Sequence, residues 1–135
     1  VEIGQQGLGI DTAGIAIAAH RQPFGYVAAA MVGAAGIVSS EDPHVMGAEG
    51  VSLWKVSHSG DTAAARALQA KILRMKNALG DIGTAPASMK AAMNILGRPG
   101  GHVRAPLLDL DAAETDRVRA ALDDLGLLAG RAAAQ

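Results

Sequence analysis

A chain of 135 residues with a net charge of −1 has the size of a single domain. It carries no basic run, which argues against nucleic acid as a partner, and it contains no cysteine, which excludes disulfides and thiolate metal sites. Its apolar stretches are too short or too rich in glycine for a membrane span, and no secretory signal is visible, so we expect a cytoplasmic protein.

Two apolar stretches near the N-terminus predict buried strands. Gly14–Ala19 ends at a polar stretch that contains Arg21, and Gly36–Ser40 follows an alanine-rich predicted helix, Phe24–Val32. Strand, helix and strand form a β-α-β unit, which implies parallel strands and a right-handed crossover. Because two strands alone would leave both sheet edges unpaired, the sequence predicts one part of a larger sheet.

The rest of the chain predicts four helices, most of them begun by an acid, a capping residue or a proline. In the second helix Leu68, Ile72, Met75 and Leu79 form one apolar stripe, and Lys76 and other basic residues are predicted on the remaining faces. The helices run from Glu41-Asp42-Pro43 to about Ser57 with interruptions at Gly47 and Gly50, from Asp61 or Thr62 to Leu79, from about Pro86 to Leu96, and from the capping-box-like Asp111–Glu114 to Gly126 or Gly130.

Titratable residues outside these patterns give little sign of a catalytic or metal site. His44, His58 and His102 lack the spacing of a metal motif, so we predict no metal and no cofactor. Asp42 is interpreted, with its neighbour Glu41, as an acid at a helix start. Three further residues are given structural roles: Trp54 as a core or interface anchor, Lys90 in packing or a salt bridge, and Arg104 as the residue that fixes the connection before Pro106.

Four stretches, in this order, carry a resemblance to a known family. They are Ala34–Ser40, similar to G-x-x-G-V-I-S-V; Gly60–Arg66, similar to G-D-x-x-x-A; Ala85–Ala92, similar to P-x-x-x-K-x-A-L; and Gly101–Leu107, similar to G-x-x-R-x-P-L. Together they resemble the C-terminal part of the dihydrodipicolinate synthase / N-acetylneuraminate lyase family, the Schiff-base class I aldolases and dehydratases. The resemblance covers roughly residues 14 to 128.

The resemblance implies an α/β fold: the last two strands of a (β/α)8 TIM barrel, followed by a C-terminal helical segment. We expect an incomplete, mostly helical barrel portion, divided into residues 1–59 (partial barrel) and 60–135 (helical segment). A whole barrel needs about 250 residues, and the family's Schiff-base lysine and proton-relaying tyrosine lie on earlier strands. Tyr26 and the lysines of this chain match neither position. We therefore predict no catalytic residue here and no activity for the chain alone.

Three residues are predicted to bind substrate. In the family, the end of the last strand lines the pyruvate pocket, which implies that Val38 and Ser39 present carbonyls or a hydroxyl there. Arg21 stands where the family often has S-G-D-D. Because of this departure, the substrate specificity of relatives with the acidic pair is not carried over to this chain. Arg21 would either hold a substrate carboxylate or be an exposed loop residue.

Several functions remain open at this stage. The first is part of a pyruvate-dependent lysine-imine lyase, with a 2-oxo acid as substrate and a homo-oligomeric assembly. Arg104–Leu110 also resembles the corresponding stretch of 5-dehydro-4-deoxyglucarate dehydratases, an alternative subfamily. The second is a non-catalytic module that oligomerises or completes the barrel of another chain. The third is an unrelated small helical protein.

Overall fold

A computed structural model describes Val27, Ala28, Ala30, Ser39 and residues 42–129. Both predicted strands lie outside the described residues, except for Ser39. Val27, Ala28 and Ala30 have helical backbone and fall within the predicted helix that precedes the second strand. The described part contains α1 (Asp42–Met46), α2 (Ala48–His58), α3 (Thr62–Gly80), α4 (Ala85–Ile95) and α5 (Ala112–Asp124).

Glycine separates α1 from α2. Gly47 has a φ of +65°, in the left-handed region that an α-helix does not use, and its N–H donates to the carbonyl of Pro43 at 3.0 Å. The predicted interruption at Gly47 is therefore confirmed. The predicted interruption at Gly50 is wrong, because this residue lies inside α2.

Side chains cap two of the longer helices as their sequences predict. Asp61 accepts a hydrogen bond from the N–H of Ala64 at 2.9 Å and so begins α3. At α5, Asp111 accepts from the N–H of Glu114, and the side chain of Glu114 accepts from the N–H of Asp111. This reciprocal pair is the capping box that the D-x-x-E pattern predicts.

The core forms around α3, which packs against α2, α4 and α5. The predicted stripe is confirmed at Ile72, Met75 and Leu79, which are buried, whereas Leu68 is half-buried. Helices on both sides of residue 60 contribute to one core, and the division of the chain at that position stays a prediction. The core consists of Val45, Met46, Leu53, Ile72, Met75, Leu79, Ile82, Ala92, Val118 and Leu122.

Gly50 allows α2 to pack directly on the beginning of α1. A Cβ atom added to Gly50 would lie 2.4 Å from the carbonyl oxygen of Asp42 and 2.6 Å from its carbonyl carbon. Both atoms belong to the backbone, so neither can rotate away. The absence of a side chain at Gly50 therefore sets the distance between α2 and the first turn of α1.

We expect Gly50→Ala to destabilise the chain by about 1–3 kcal/mol, because the two helices must separate to admit the methyl group. The matched control is Gly80→Ala at the end of α3, where an added Cβ meets nothing within 4 Å. That control is expected to be neutral or to stabilise by up to about 1 kcal/mol. Urea unfolding followed by circular dichroism measures both; equal effects would contradict the close packing at Gly50.

Candidate functional site

The predicted site residue Ser39 lies beside a buried acid. Its hydroxyl donates a 2.7 Å hydrogen bond to Oδ2 of Asp42, in the first turn of α1. Ser39 is half-buried and Asp42 is only 2% exposed. The other two predicted substrate-binding residues, Val38 and Arg21, lie outside the described residues, as does Glu41. The substrate-binding roles predicted for Val38, Ser39 and Arg21 therefore stay predictions.

A lysine from another helix neutralises this acid. Nζ of Lys76, in α3, lies 3.3 Å from Oδ1 of Asp42, and the two side chains are 13% and 3% exposed. The contact is an ion pair without the alignment of a hydrogen bond, because Oδ1 has no hydrogen-bond partner. When an ion pair is this well shielded from water, removing either partner leaves a buried charge without compensation and strongly destabilises the fold.

Sequence reasoning missed the connection between Asp42 and Lys76. Asp42 does lie at a helix start, as interpreted, but it is buried and paired rather than solvated. Lys76, predicted on a face other than that of the apolar stripe, is instead largely buried beside the stripe. Lys76 follows Ile72 by four positions and precedes Leu79 by three, so it borders the apolar stripe. A lysine beside a buried stripe is the signal that could have indicated a buried acidic partner.

The four lysines of the chain all lie on described helices. Lys71 contacts both carboxylate oxygens of Glu49, at 2.7 and 2.8 Å. Lys76 pairs with Asp42. Lys90 donates to the carbonyl of Gly100 at 2.6 Å. Of the two roles predicted for Lys90, this contact fits packing and is not a salt bridge. Lys55 is exposed on α2.

The connection between α4 and α5 is fastened to α4 by its glycines. The side chain of Asn94 donates to the carbonyl of Gly101 and accepts from its N–H, both at 3.0 Å. A Cβ added to Gly100 would lie 2.4 Å from the carbonyl oxygen of Lys90, so only glycine fits there. The connection is therefore ordered, as its sequence predicts, up to the cis peptide bond before Pro106.

Asp109, rather than Arg104, fixes the second half of this connection. Its Oδ1 accepts from the N–H of Val103 at 3.0 Å, and its Oδ2 accepts from Nδ1 of His102 at 2.7 Å. These contacts, the Val103 N–H foremost, hold the pKa of Asp109 below its ordinary value. The role predicted for Arg104 is wrong among the described residues, where its side chain is exposed and makes no hydrogen bond.

The described residues show neither a metal centre nor a membrane-spanning helix. No group of three or more His, Cys, Asp or Glu side chains among them is arranged to hold a metal ion. None of the described helices combines the length and apolar character that crossing a bilayer requires.

Trp54 is half-buried and its ring lies 4.3 Å from that of His58, which places it at the surface of α2 rather than in the core.

Comparison with known proteins identifies the family. The sequence profile described as the dihydrodipicolinate synthetase family matches residues 25–125. The chain belongs to this family. The resemblance predicted from the four stretches is thereby confirmed, over a slightly shorter range.

Relatives and a solved structure place the match within a longer protein. The chain is 39% identical over 98 residues to an uncharacterized DapA-like lyase of Rhizobium meliloti, a match that covers 71% of this chain and 32% of that protein. It is 36% identical over 97 residues to the 4-hydroxy-tetrahydrodipicolinate synthase of Thermosynechococcus vestitus, covering 72% and 32%. A crystal structure of dihydrodipicolinate synthase aligns with a TM-score of 0.63 and 29% identity, over 75% of this chain and 34% of that one. The chain thus spans about a third of the length of the relatives it matches.

We expect Lys76→Met to destabilise the chain by about 3–5 kcal/mol, because it leaves the buried carboxylate of Asp42 without its counter-charge. Lys71→Met, on the same helix, is the matched control. It breaks a pair whose side chains are 29% and 41% exposed, and should cost about 0–1 kcal/mol. Urea unfolding measures both variants; similar losses would contradict the structural importance of the buried pair.

The contribution of Asp109 to stability should depend on pH. Because its folded-state pKa lies below its ordinary value of 3.8, the unfolded chain takes up this proton more readily than the folded chain. The stabilisation is therefore present above the ordinary pKa and is lost as the pH falls through the folded-state pKa. Asp109→Asn should unfold at lower urea concentration than wild type at about pH 5, and the difference should shrink toward about pH 3. A difference that does not change with pH would contradict this assignment.

Proposed function

We propose that this chain is the C-terminal part of a pyruvate-dependent lysine-imine lyase of the dihydrodipicolinate synthase type, and that the 135 residues alone form no imine. The observation that carries the proposal is the position of the four lysines. They lie on helices α2, α3 and α4, and three of their amines contact a carboxylate or a carbonyl. Family membership supports the reaction class, and the name of the Thermosynechococcus vestitus relative supports a synthase.

Imine chemistry needs an amine that reaches the carbonyl carbon of the substrate from within a pocket. The protonated imine then serves as the electron sink for forming or breaking a carbon–carbon bond. Lys71, Lys76 and Lys90 are each engaged by other groups, and Lys55 projects from an exposed position on α2. The nucleophile of the proposed reaction would therefore come from a part of the fold outside Val1–Gln135.

This chain would contribute the wall of the site instead. In the proposed barrel, Gly14–Ala19 and Gly36–Ser40 are the last two strands, and active sites of such barrels form at the C-terminal ends of the strands. Val38 and Ser39 would line the pocket of a 2-oxo acid there, and Arg21 would hold a carboxylate at the mouth. The complete assembly would be a cytoplasmic oligomer. The names of the relatives favour the synthase over the dehydratase subfamily.

Borohydride trapping tests the proposal. We expect no mass increase when the 135-residue chain is treated with pyruvate and sodium borohydride, because no lysine is placed to form an imine. The synthase of Thermosynechococcus vestitus, treated identically, serves as the positive control. Intact-mass spectrometry reads both samples. A reduced adduct on any of the four lysines of this chain would overturn the proposal.

A graft tests the contribution of the chain to the site. Residues 25–125 would replace the matching third of the Thermosynechococcus vestitus synthase, which retains its own remaining two thirds. Turnover by this chimera would support a site-forming role. A folded chimera that is trapped by borohydride but does not turn over would favour the non-catalytic module instead.

A further inference from the structure

One imidazole on the connection between α4 and α5 is held by a carboxylate and otherwise faces solvent. Nδ1 of His102 lies 2.7 Å from Oδ2 of Asp109, and the side chain of His102 is 88% exposed. The ring of His102 makes no second hydrogen bond within the part of the chain that the structure describes. Its other nitrogen, Nε2, is therefore accessible from solvent.

The backbone that carries this imidazole is fixed on both sides. Before His102, the side chain of Asn94 binds both the N–H and the carbonyl of Gly101, each at 3.0 Å. After it, the N–H of Val103 donates to Oδ1 of Asp109 at 3.0 Å. One carboxylate thus holds the backbone of Val103 through one oxygen and the ring of His102 through the other, so the ring stays in contact with it.

This contact decides which ring nitrogen carries the hydrogen. The N–H of Val103 and the ring of His102 hold the pKa of Asp109 below its ordinary value, so its carboxyl group is ionised at neutral pH. An ionised carboxylate only accepts hydrogen bonds, so Nδ1 of His102 must donate. In the neutral ring the lone pair then lies on Nε2, the nitrogen that is accessible from solvent.

We propose that His102 is a site of covalent acylation, at which Nε2 attacks the acyl carbon of a compound with a good oxygen leaving group, such as a mixed anhydride. Asp109 is the positioning residue: it fixes the tautomer and stabilises the positive charge that develops on the ring during attack. The inference does not depend on the proposed function.

The step balances without a further reactant. The lone pair of Nε2 forms the new nitrogen–carbon bond, the bond between the acyl carbon and the leaving oxygen breaks, and its electron pair departs with that oxygen. The ring then releases the hydrogen of Nδ1 as a proton, by way of Asp109, to water. The product is a neutral acylimidazole at His102.

Diethylpyrocarbonate, an acylating anhydride, tests the proposal on the intact chain. Peptide mapping by mass spectrometry follows the rate at each of the four histidines, on the alkaline plateau of the pH–rate profile. His58 is the internal reference, because it is exposed and its Nδ1 donates to the carbonyl of Trp54 at 3.0 Å. His58 therefore has the same tautomer as His102, but its hydrogen-bond acceptor is uncharged.

Removing the charge of Asp109 should slow acylation at His102 alone. We expect Asp109→Asn to lower the rate at His102, relative to that at His58 in the same sample, by about two- to fivefold, the effect of one exposed charge pair. Asp123→Asn removes the same charge from an exposed position on α5 and should leave the ratio of the two rates unchanged. Circular dichroism confirms that both variants are folded.

A measurement on the unaltered chain keeps the proposal falsifiable if Asp109→Asn loosens the connection. Nitrogen-15 NMR of the histidine-labelled chain at alkaline pH should show the hydrogen of His102 on Nδ1. A hydrogen on Nε2 would overturn the proposal, because the exposed nitrogen would then have no lone pair for attack. So would a ratio of rates that Asp109→Asn leaves unchanged in a folded chain.

Discussion

A carboxylate placed out of reach of water is the constraint on which the first helices depend. Burying an ionised group is costly unless a counter-charge and hydrogen bonds compensate. Asp42 receives an ion pair from Lys76 and a hydrogen bond from Ser39. These contacts tie the end of the predicted second strand and the start of α1 to the middle of α3. The position of the predicted pocket wall is therefore linked to the helical segment through one side chain.

The ion pair between Asp42 and Lys76 also helps to stabilise α1. A helix of five residues is far too short to be stable by itself in water, so tertiary contacts must hold it. Lys76 pairs with its first residue, and the guanidinium of Arg98 donates to the carbonyl of His44 near its other end. A cation near the C-terminal carbonyls of a helix also opposes the partial negative charge there. Two cations from distant parts of the chain thus hold both ends of α1.

Local patterns predicted the helices well and the contacts between them poorly. The stripe of α3 and the capping box of Asp111 depend on residues within one or two turns of each other, which periodicity and spacing reveal directly. The pairing of Asp42 with Lys76 joins two helices across the core, and no spacing rule encodes it. The sequence predicted that the charge of Arg104 fixes the connection before Pro106. The anchor proved to be the acid that accepts two donors from its own loop.

The proposed function assigns two tasks of a lysine-imine enzyme to different parts of the fold. One is nucleophilic attack, for which the described helices supply no suitably placed amine. The other, in the proposed function, is to hold the wall of the pocket in place, for which the contacts of buried Asp42 with Ser39 and Lys76 are suited. In the proposed function, helices α1 to α3 would therefore support the wall of the pocket, although none of them supplies the reacting group.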